Sequence, residues 1–562
     1  MMNRRFVLGC LIAICGLLCL LVFAGDDEYT DLTFSRESGF YESAFHLSIY
    51  APRGTKIYYT LDGSVPDENS IQYTEPILIN DATENDNLHS ARTDVTAGFM
   101  TEEILACGME PSAYVRPDYL VDKCTVVRAA YLDNDGNFSE TKTKNYFINY
   151  ENRIGYDGLG IISIVTDPES LFGFEEGIYV LGHTYEEYEN EADKSTEPWA
   201  WWGANYHQRG LEWERSANVQ FFNAEKEEFL DKECGIRIQG GASRGFLPKS
   251  LNIYARKQYD GEGRFYADLF ETNYMADTVT LFVGGGDGIS KLRDRLAAEL
   301  TKERSFGTMN FEPYALFLNG EYWGVYWLTE KYDDVFVAHY YNVDKDDVVM
   351  IKSGELAEGE AEDYTLYLDM VSYMENTDFS IDENYAHACD LLDMQSLIDY
   401  FACEIYFGRY GDWPAANFAL WRTREKGEGQ YEDGKWRWLM FDVNSGAFDP
   451  DIVDWDTIQI TRDSSKMFDN LCQNDDFKRQ FASTFVDIMN TSFDDKKVEA
   501  AISEHRTFLE IPMSNHLKRF LGAEDSSQFL DAVANIQSFM ENRKPYMMEY
   551  LKNDLDVSEV PE

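Results

Sequence analysis

At 562 residues the chain is too long for one core of ordinary size, and 44% hydrophobic with 15% aromatic content sets aside a disordered polymer. Lys and Arg number 49 against 101 Asp and Glu, a formal net charge of −52, so nucleic acid is not an expected partner: its phosphates would be repelled. The eight histidines include no pair at ligand spacing, and there is no CxxC or HExxH, which argues against a zinc enzyme.

The chain opens with MMNRR and then about twenty uncharged, mostly apolar residues, FVLGCLIAICGLLCLLVFAG. A basic start followed by such a run reads as an export segment over residues 1–25, either a cleaved signal peptide or a retained signal anchor. Both readings place the remainder outside the cytoplasm, secreted or held at the cell envelope. Three of the nine cysteines fall in this segment, and the six that remain permit disulfides, with Cys107 and Cys124, or Cys389 and Cys403, as candidate pairs.

Residues 30–150 read as a small all-β sandwich. HLSIYAP, KIYYTLDGSVP, TVVRAAYLDNDGNFS and KTKNYFINY are short runs of β-branched and aromatic residues broken by Asp-Gly and Pro turn signals, with a polar insertion over roughly 80–118. The pairing of YTLDGSVPDENSIQYTEPILI with VVRAAYLDNDGNFSETKTKNYFI resembles the chitobiase/β-hexosaminidase C-terminal type of fibronectin-III-like module, which implies a spacer or binding unit and no catalysis.

After the linker ENRIGYDG, residues 155–552 mix both element types. IISIVTD, GIYVLG, ANVQFFNA, GIRIQGG, SLNIYARK, EPYALFLNG and YWGVYWLTEKY predict strands. Apolar spacing at i, i+3, i+4 predicts helices in ISKLRDRLAAELTKE, LLDMQSLIDYFACEIYFG, DFKRQFASTFVDIMN and the segment 526–552. Strands dominate early and helices late, which suits an α+β, two-lobed catalytic domain.

Within this part, GGASRGFLPK over 240–249 is a glycine-rich turn between two predicted strands, carrying Arg244 and Lys249. Freed backbone amides and two cations would suit a polyphosphate, although such hairpins also occur as plain turns. Lys249 shares strand parity with Leu251, Ile253 and Ala255, so it should face the apolar side, where it wants an anionic partner. Arg293 falls on the apolar stripe of the helix predicted over 289–303 and should also be paired. FVGGGDGISK lacks the GK[ST] ending of a P-loop, so no Walker site is expected. Glu330 ends the strand YWGVYWLTEKYDD, at an ordinary strand end or at a hinge between lobes.

The segment RYGDWPAANFALW places Asp412 five residues before Asn417, and KWRWLMFDVNSGAF then brings Asp442 to the end of an apolar strand. A kinase-type site needs a carboxylate to take the acceptor proton, a neutral oxygen ligand a few residues later, and a second carboxylate for Mg²⁺. Asp412, Asn417 and Asp442 supply those types in that order, at the Asp-to-Asn spacing of HRDxxxxN, without its histidine and arginine. The competing reading has Asp412 ending a helix, Trp413 and Phe418 packing, and Asn417 satisfying a turn.

Taken together, GIYVLG, WERSANVQFFNA, GIRIQGGASRGFLPKSLNIYARK, LRDRLAAEL, ALFLNGEYWGVYWLTEKYDD, GDWPAANFALWR and KWRWLMFDVNSGAF resemble the spore coat protein H (CotH) kinase-like family over most of residues 155–450. The resemblance implies an atypical extracytoplasmic protein kinase, with a kinase-like fold preceded by the β module, using ATP and Mg²⁺ or Mn²⁺ to phosphorylate Ser or Thr hydroxyls. Carried over by residue, Asp412 is the catalytic base, Asn417 and Asp442 are metal ligands, Arg244, Lys249 and Arg293 contact phosphate, and Glu330 lies near the hinge and nucleotide. The family commonly has DLD where this chain has Asp442-Val443-Asn444; Asn444 offers a neutral oxygen but one negative charge fewer, and Asp449 or Asp451 is a candidate replacement. The acidic surface suggests a basic, Ser-rich surface or spore-coat protein as acceptor. The alternative is a catalytically degenerate kinase-like protein of cell-surface assembly or adhesion.

Overall fold

The computed structural model describes residues 29–150, 153, 155, 156 and 158–555. The export segment read at residues 1–25 lies outside the described residues. Among those described, no helix is long and apolar enough to cross a membrane.

Strands β1 (Gly39–Tyr41), β2 (Lys56–Thr60), β3 (Ile71–Gln72), β4 (Thr125–Leu132) and β5 (Lys142–Ile148) form a sheet in the order β1-β5-β4-β2-β3. Two short ladders, Thr33–Phe34 with Ile49–Tyr50 and Phe45–Leu47 with Ile77–Ile79, close over Val127, Ala129 and Tyr146 as the second layer. The opposite face of the sheet is also covered. Val126 and Phe147 enter the core of the following domain, and Phe147 meets Phe317 at a ring separation of 5.0 Å. Cover on both faces explains why β4 is buried at five successive positions, Val126 to Ala130, Arg128 among them. The insertion is likewise packed, since Val95, Ala97 and Ile104 belong to the core of that domain.

Seven strands then close into a barrel: β6 (Gly160–Val165), β7 (Arg215–Phe222), β8 (Glu228–Gln239), β9 (Ser250–Tyr254), β10 (Thr278–Phe282), β11 (Phe311–Leu318) and β12 (Glu321–Glu330). The order is β6-β7-β8-β9-β10-β12-β11, sealed by parallel pairing of β11 with β6. β12 is buried at every position, because one face lines the barrel and the other meets helices.

Helix α1 (Arg293–Thr301) joins β10 to β11, and α2 (Asp334–Tyr341) leads out of β12. The second lobe contains β13 (Val348–Lys352), β14 (Glu355–Glu358), α3 (Met394–Tyr406), β15 (Ala419–Thr423), β16 (Arg437–Leu439), α4 (Asp475–Thr491), α5 (Asp495–Leu521) and α6 (Ser527–Asp554). Its sheet runs β14-β13-β15-β16. α5 crosses back onto the barrel, where His516 Nδ1 accepts the Val325 N–H at 3.0 Å.

Three expectations are corrected. GIYVLG is a buried turn and not a strand; its amides bond to Ser170 and Leu171 carbonyls, and Gly182 has φ +59°. The helix predicted from residue 289 begins at Arg293, because Lys291 at φ +52° breaks the backbone and Asp287 accepts the Leu292 and Arg293 amides. The six cysteines among the described residues are all free, so neither candidate disulfide forms.

Candidate functional site

α3 starts at Asp393, whose side chain accepts the Ser396 amide, and stops at Tyr406, after which Gly408 turns the chain at φ +77°. Asp412 therefore sits in the loop beyond the helix and not on its last turn. That loop is held by Arg409, which is wholly buried. Its Nη1 donates to the Asp442 carbonyl at 2.8 Å and its Nη2 to Asp412 Oδ1 at 3.3 Å. Glu404, also wholly buried, lies 3.7 Å from the same guanidinium; burial pushes its carboxyl up to about 7 despite that cation. Asp412 Oδ2 accepts a 2.6 Å bond from Asn417 Nδ2, so the two residues touch. The packing role is real too: Trp413 is buried and its indole N–H donates to the Tyr400 hydroxyl at 3.0 Å.

Asp442 follows β16 at φ +60°, Asn417 has φ +53°, and Ser353, whose hydroxyl accepts the Asn417 amide, has φ +49°. Left-handed backbone at three non-glycine residues around one cleft costs of order 1–3 kcal/mol each and persists only where the surroundings over-determine it. Burial raises the Asp442 carboxyl above its ordinary range, opposed by hydrogen bonding from Asn444. Asn444 is 3% exposed; its Nδ2 donates to Asp442 Oδ1 at 2.7 Å and its Oδ1 accepts the Gly286 amide at 2.7 Å. Asp294, on the first turn of α1, accepts the Val443 amide at 2.7 Å; burial and then the charge of Asp442 raise its carboxyl to about 7.

Of these residues Ser353, Asn417, Asp442 and Asp294 open onto a cleft of about 450 Å³ between barrel and second lobe, within the usual range for a small-molecule site. Arg244, Glu330, Asn417 and Asp442 line it, together with Asp294 and Lys352. Phe282, Met309, Phe311 and Phe441 supply its apolar wall. Glu330 ends β12 where the chain passes between lobes; its carboxylate accepts the Asn310 amide at 2.7 Å and the Tyr340 hydroxyl. Arg244 directs Nε and Nη1 to the carbonyls of Gly240, Tyr206 and Gln208.

Asp412, Asn444, Lys249 and Arg293 are not brought into this lining; Asp412 meets it only through its bond to Asn417, and Asn444 through its bond to Asp442. Lys249 faces the apolar side as its parity predicts, but finds carbonyl and ring partners where an anion was expected: Nζ donates to the Arg244 carbonyl at 2.5 Å and sits 3.8 Å from the Tyr206 ring centre. Burial holds its ammonium well below the usual lysine range. Arg293 is paired, as expected for an arginine on that stripe, through a 3.1 Å bond to the Asn444 carbonyl.

Arg409, Lys352 and Asp294 escape the reading of the sequence. Arg409 stands three residues before Asp412, two positions earlier than HRD places its arginine. Lys352 ends the apolar run VVMIK, and burial pushes its ammonium down to about 8. Asp294 adjoins Arg293, and only the closure of α1 onto the Asp442 strand end gives it a role.

Among the described residues Oδ1 of Asn417 and Oδ2 of Asp442 carry no protein hydrogen bond, the bonded atoms being Nδ2 and Oδ1, and Asp294 lines the same cleft. Among the described residues no three His, Cys, Asp or Glu side chains converge as a metal site. A set of two carboxylates and an amide nonetheless fits Mg²⁺, which is commonly held by one or two carboxylates plus waters and substrate phosphates.

The model of the family described as CotH kinase protein matches residues 236–547, more than half the chain and all of the cleft-lining residues beyond Arg209. The family described as Fn3 associated matches residues 46–146. No curated protein matches the chain.

Proposed function

The chain is a kinase-like protein belonging to the CotH kinase protein family, and from that membership we propose that it transfers the γ-phosphate of ATP to Ser or Thr hydroxyls of a basic, Ser-rich surface or spore-coat protein outside the cytoplasm. The observation that carries the reading is the contact of Asp412 with Asn417, tied through Arg409 to Asp442, with Asn417 and Asp442 lining one cleft.

Asp412 is the base. It lies in an open loop and orients the acceptor hydroxyl, taking its proton as the oxygen–phosphorus bond forms and the bond from γ-phosphorus to the bridging oxygen of ADP breaks. Asn417 and Asp442 would hold a divalent cation, which would supply charge neutralisation for the phosphates. Lys352, half-buried with its ammonium near the Tyr332 and Phe441 rings, and Arg244 face the same space and balance phosphate charge. Phe282, Met309, Phe311 and Phe441 offer an apolar bed for the base of the nucleotide. Glu330 works from the hinge, fixing Asn310 and Tyr340 at the junction.

The test is incorporation of γ-phosphate from ATP, with Mg²⁺ or Mn²⁺, into the protein itself and into a basic Ser-rich protein. Metal-dependent labelling that Asp442→Ala abolishes in a folded protein is the expected result. Equal labelling by the two proteins removes Asp442 from the mechanism. No labelling and no nucleotide binding returns the domain to a role in surface assembly.

A further inference from the structure

We infer that Asp294, and not Asn444, provides the second protein carboxylate that holds a divalent cation with Asp442, while Asn444 acts as a latch fixing Asp442 to the glycine turn before α1. The inference rests on the kinase reading above and says how this chain meets the cation without the second acid of DLD.

Both ends of the Asn444 amide are spent inside the protein. The Gly286 N–H can only donate, so the atom 2.7 Å from it is the amide oxygen, and the NH₂ group then points at Asp442 Oδ1, also at 2.7 Å. Turning the amide to offer oxygen to a cation would set NH₂ against N–H and lose both bonds. The turn is shaped around that oxygen: Gly285 has φ +54°, and a Cβ there would lie 2.5 Å from Asn444 Oδ1. The chain has therefore converted a ligand position into a structural one.

The missing charge enters from another element. Asp294 is carried on α1, is nine-tenths buried and lines the cleft that Asp442 and Asn417 line. One of its oxygens accepts the Val443 amide at 2.7 Å, which docks the carboxylate beside the strand end that bears Asp442. Asp449 and Asp451 do not fill this role. Asp449 caps the short helix Pro450–Ile452, accepting the Asp451 amide at 3.0 Å, and neither lines the cleft.

The probe is Mn²⁺, followed by the paramagnetic signal of the free ion on titration into the full chain, with and without a non-hydrolysable ATP analogue. Asp294→Asn keeps an acceptor for Val443 and is expected to weaken Mn²⁺ binding at least tenfold. Asn444→Asp breaks the latch and is expected not to tighten it. A thermal melt confirms that each variant is folded. Asp294→Asn within twofold of the parent overturns the assignment, as does tighter binding in Asn444→Asp, which reports on Asn444 as a ligand even if Asp294→Asn does not fold. Parent protein that binds no Mn²⁺ in either condition overturns the inference and the kinase reading together. Mn²⁺ and nucleotide bound without phosphate transfer would sink the kinase reading alone.

Discussion

Replacing Arg409 by methionine separates what the buried ion network does for stability from what it does for the site. The guanidinium is wholly buried and is the only cation, among the described residues, within ion-pair distance of the equally buried Glu404, neither of whose oxygens has a hydrogen bond. Removing one member of such a pair leaves the other without compensation and costs about 3–5 kcal/mol, whereas replacing both by apolar groups of similar size is often close to neutral. Arg409→Met should therefore lower the stability of the second lobe by about 3–5 kcal/mol, and Glu404→Met with Arg409→Met should recover most of it. Activity should not follow stability. Both variants lose the bonds from Arg409 to Asp412 and to the Asp442 carbonyl, so the base and the metal strand are no longer tied. A displacement of about 1 Å at such a site costs on the order of a hundredfold in rate. Urea unfolding followed by tryptophan fluorescence gives the first quantity, and γ-phosphate incorporation under conditions where all proteins are folded gives the second. A single variant destabilised by less than about 1 kcal/mol, or a double variant no more stable than the single, would refute the account of the pair. A double variant with full activity would refute the positioning role.

Lys352→Met removes a cation from the phosphate side of the cleft and should weaken ATP binding by about tenfold, measured by calorimetry, with the fold unchanged. His505 is buried on α5 with Nε2 2.9 Å from the Ser290 carbonyl, and burial pushes its imidazole down to about 3. Its folded value lies below the unfolded value of about 6.5, so the unfolded chain binds the extra proton between these limits and stability falls as pH drops below about 6.5. This contribution amounts to about 2 kcal/mol at pH 5, so His505→Gln should gain on the parent by about that much between pH 7 and pH 5 in urea unfolding. Buried carboxylates raised toward 7 act in the opposite direction but are common to both proteins. Gly324 has φ +108°, and an added Cβ would meet His516 Nδ1 at 2.7 Å and Phe520 at 2.9 Å. Gly324→Ala should cost about 3 kcal/mol and lower the melting temperature, by prising α5 from the barrel.

Short apolar runs rich in β-branched and aromatic residues were enough to place β6, β7, β9, β11 and β12, because a strand's own composition records how far its faces are covered. Helical spacing likewise marked α3, α4 and α6. α5 escaped, since it packs against the barrel and other helices on several sides and carries Pro512, which blurs a single stripe. GIYVLG misled for the converse reason: its apolar residues are buried by the inserted segment, where Leu181 donates to the Asp94 carbonyl, and not by a sheet.

At the site, the order Asp412, Asn417, Asp442 and the glycine-rich turn with Arg244 are local patterns, so the sequence by itself determined the residue types and their succession along the chain. It also determined the lack of a second acid at Asn444. Only the tertiary structure decided that Lys249 turns to carbonyls and tyrosine rings, that Arg409 joins base to metal strand, and that Asp294 stands beside Asp442. Each depends on contacts between segments far apart in the chain: Asp294 reaches the strand end only because β10, β12 and β11 close the barrel and set α1 against it. Spacing along a chain encodes which side chains share a face; it carries no record of which distant face will be folded against them.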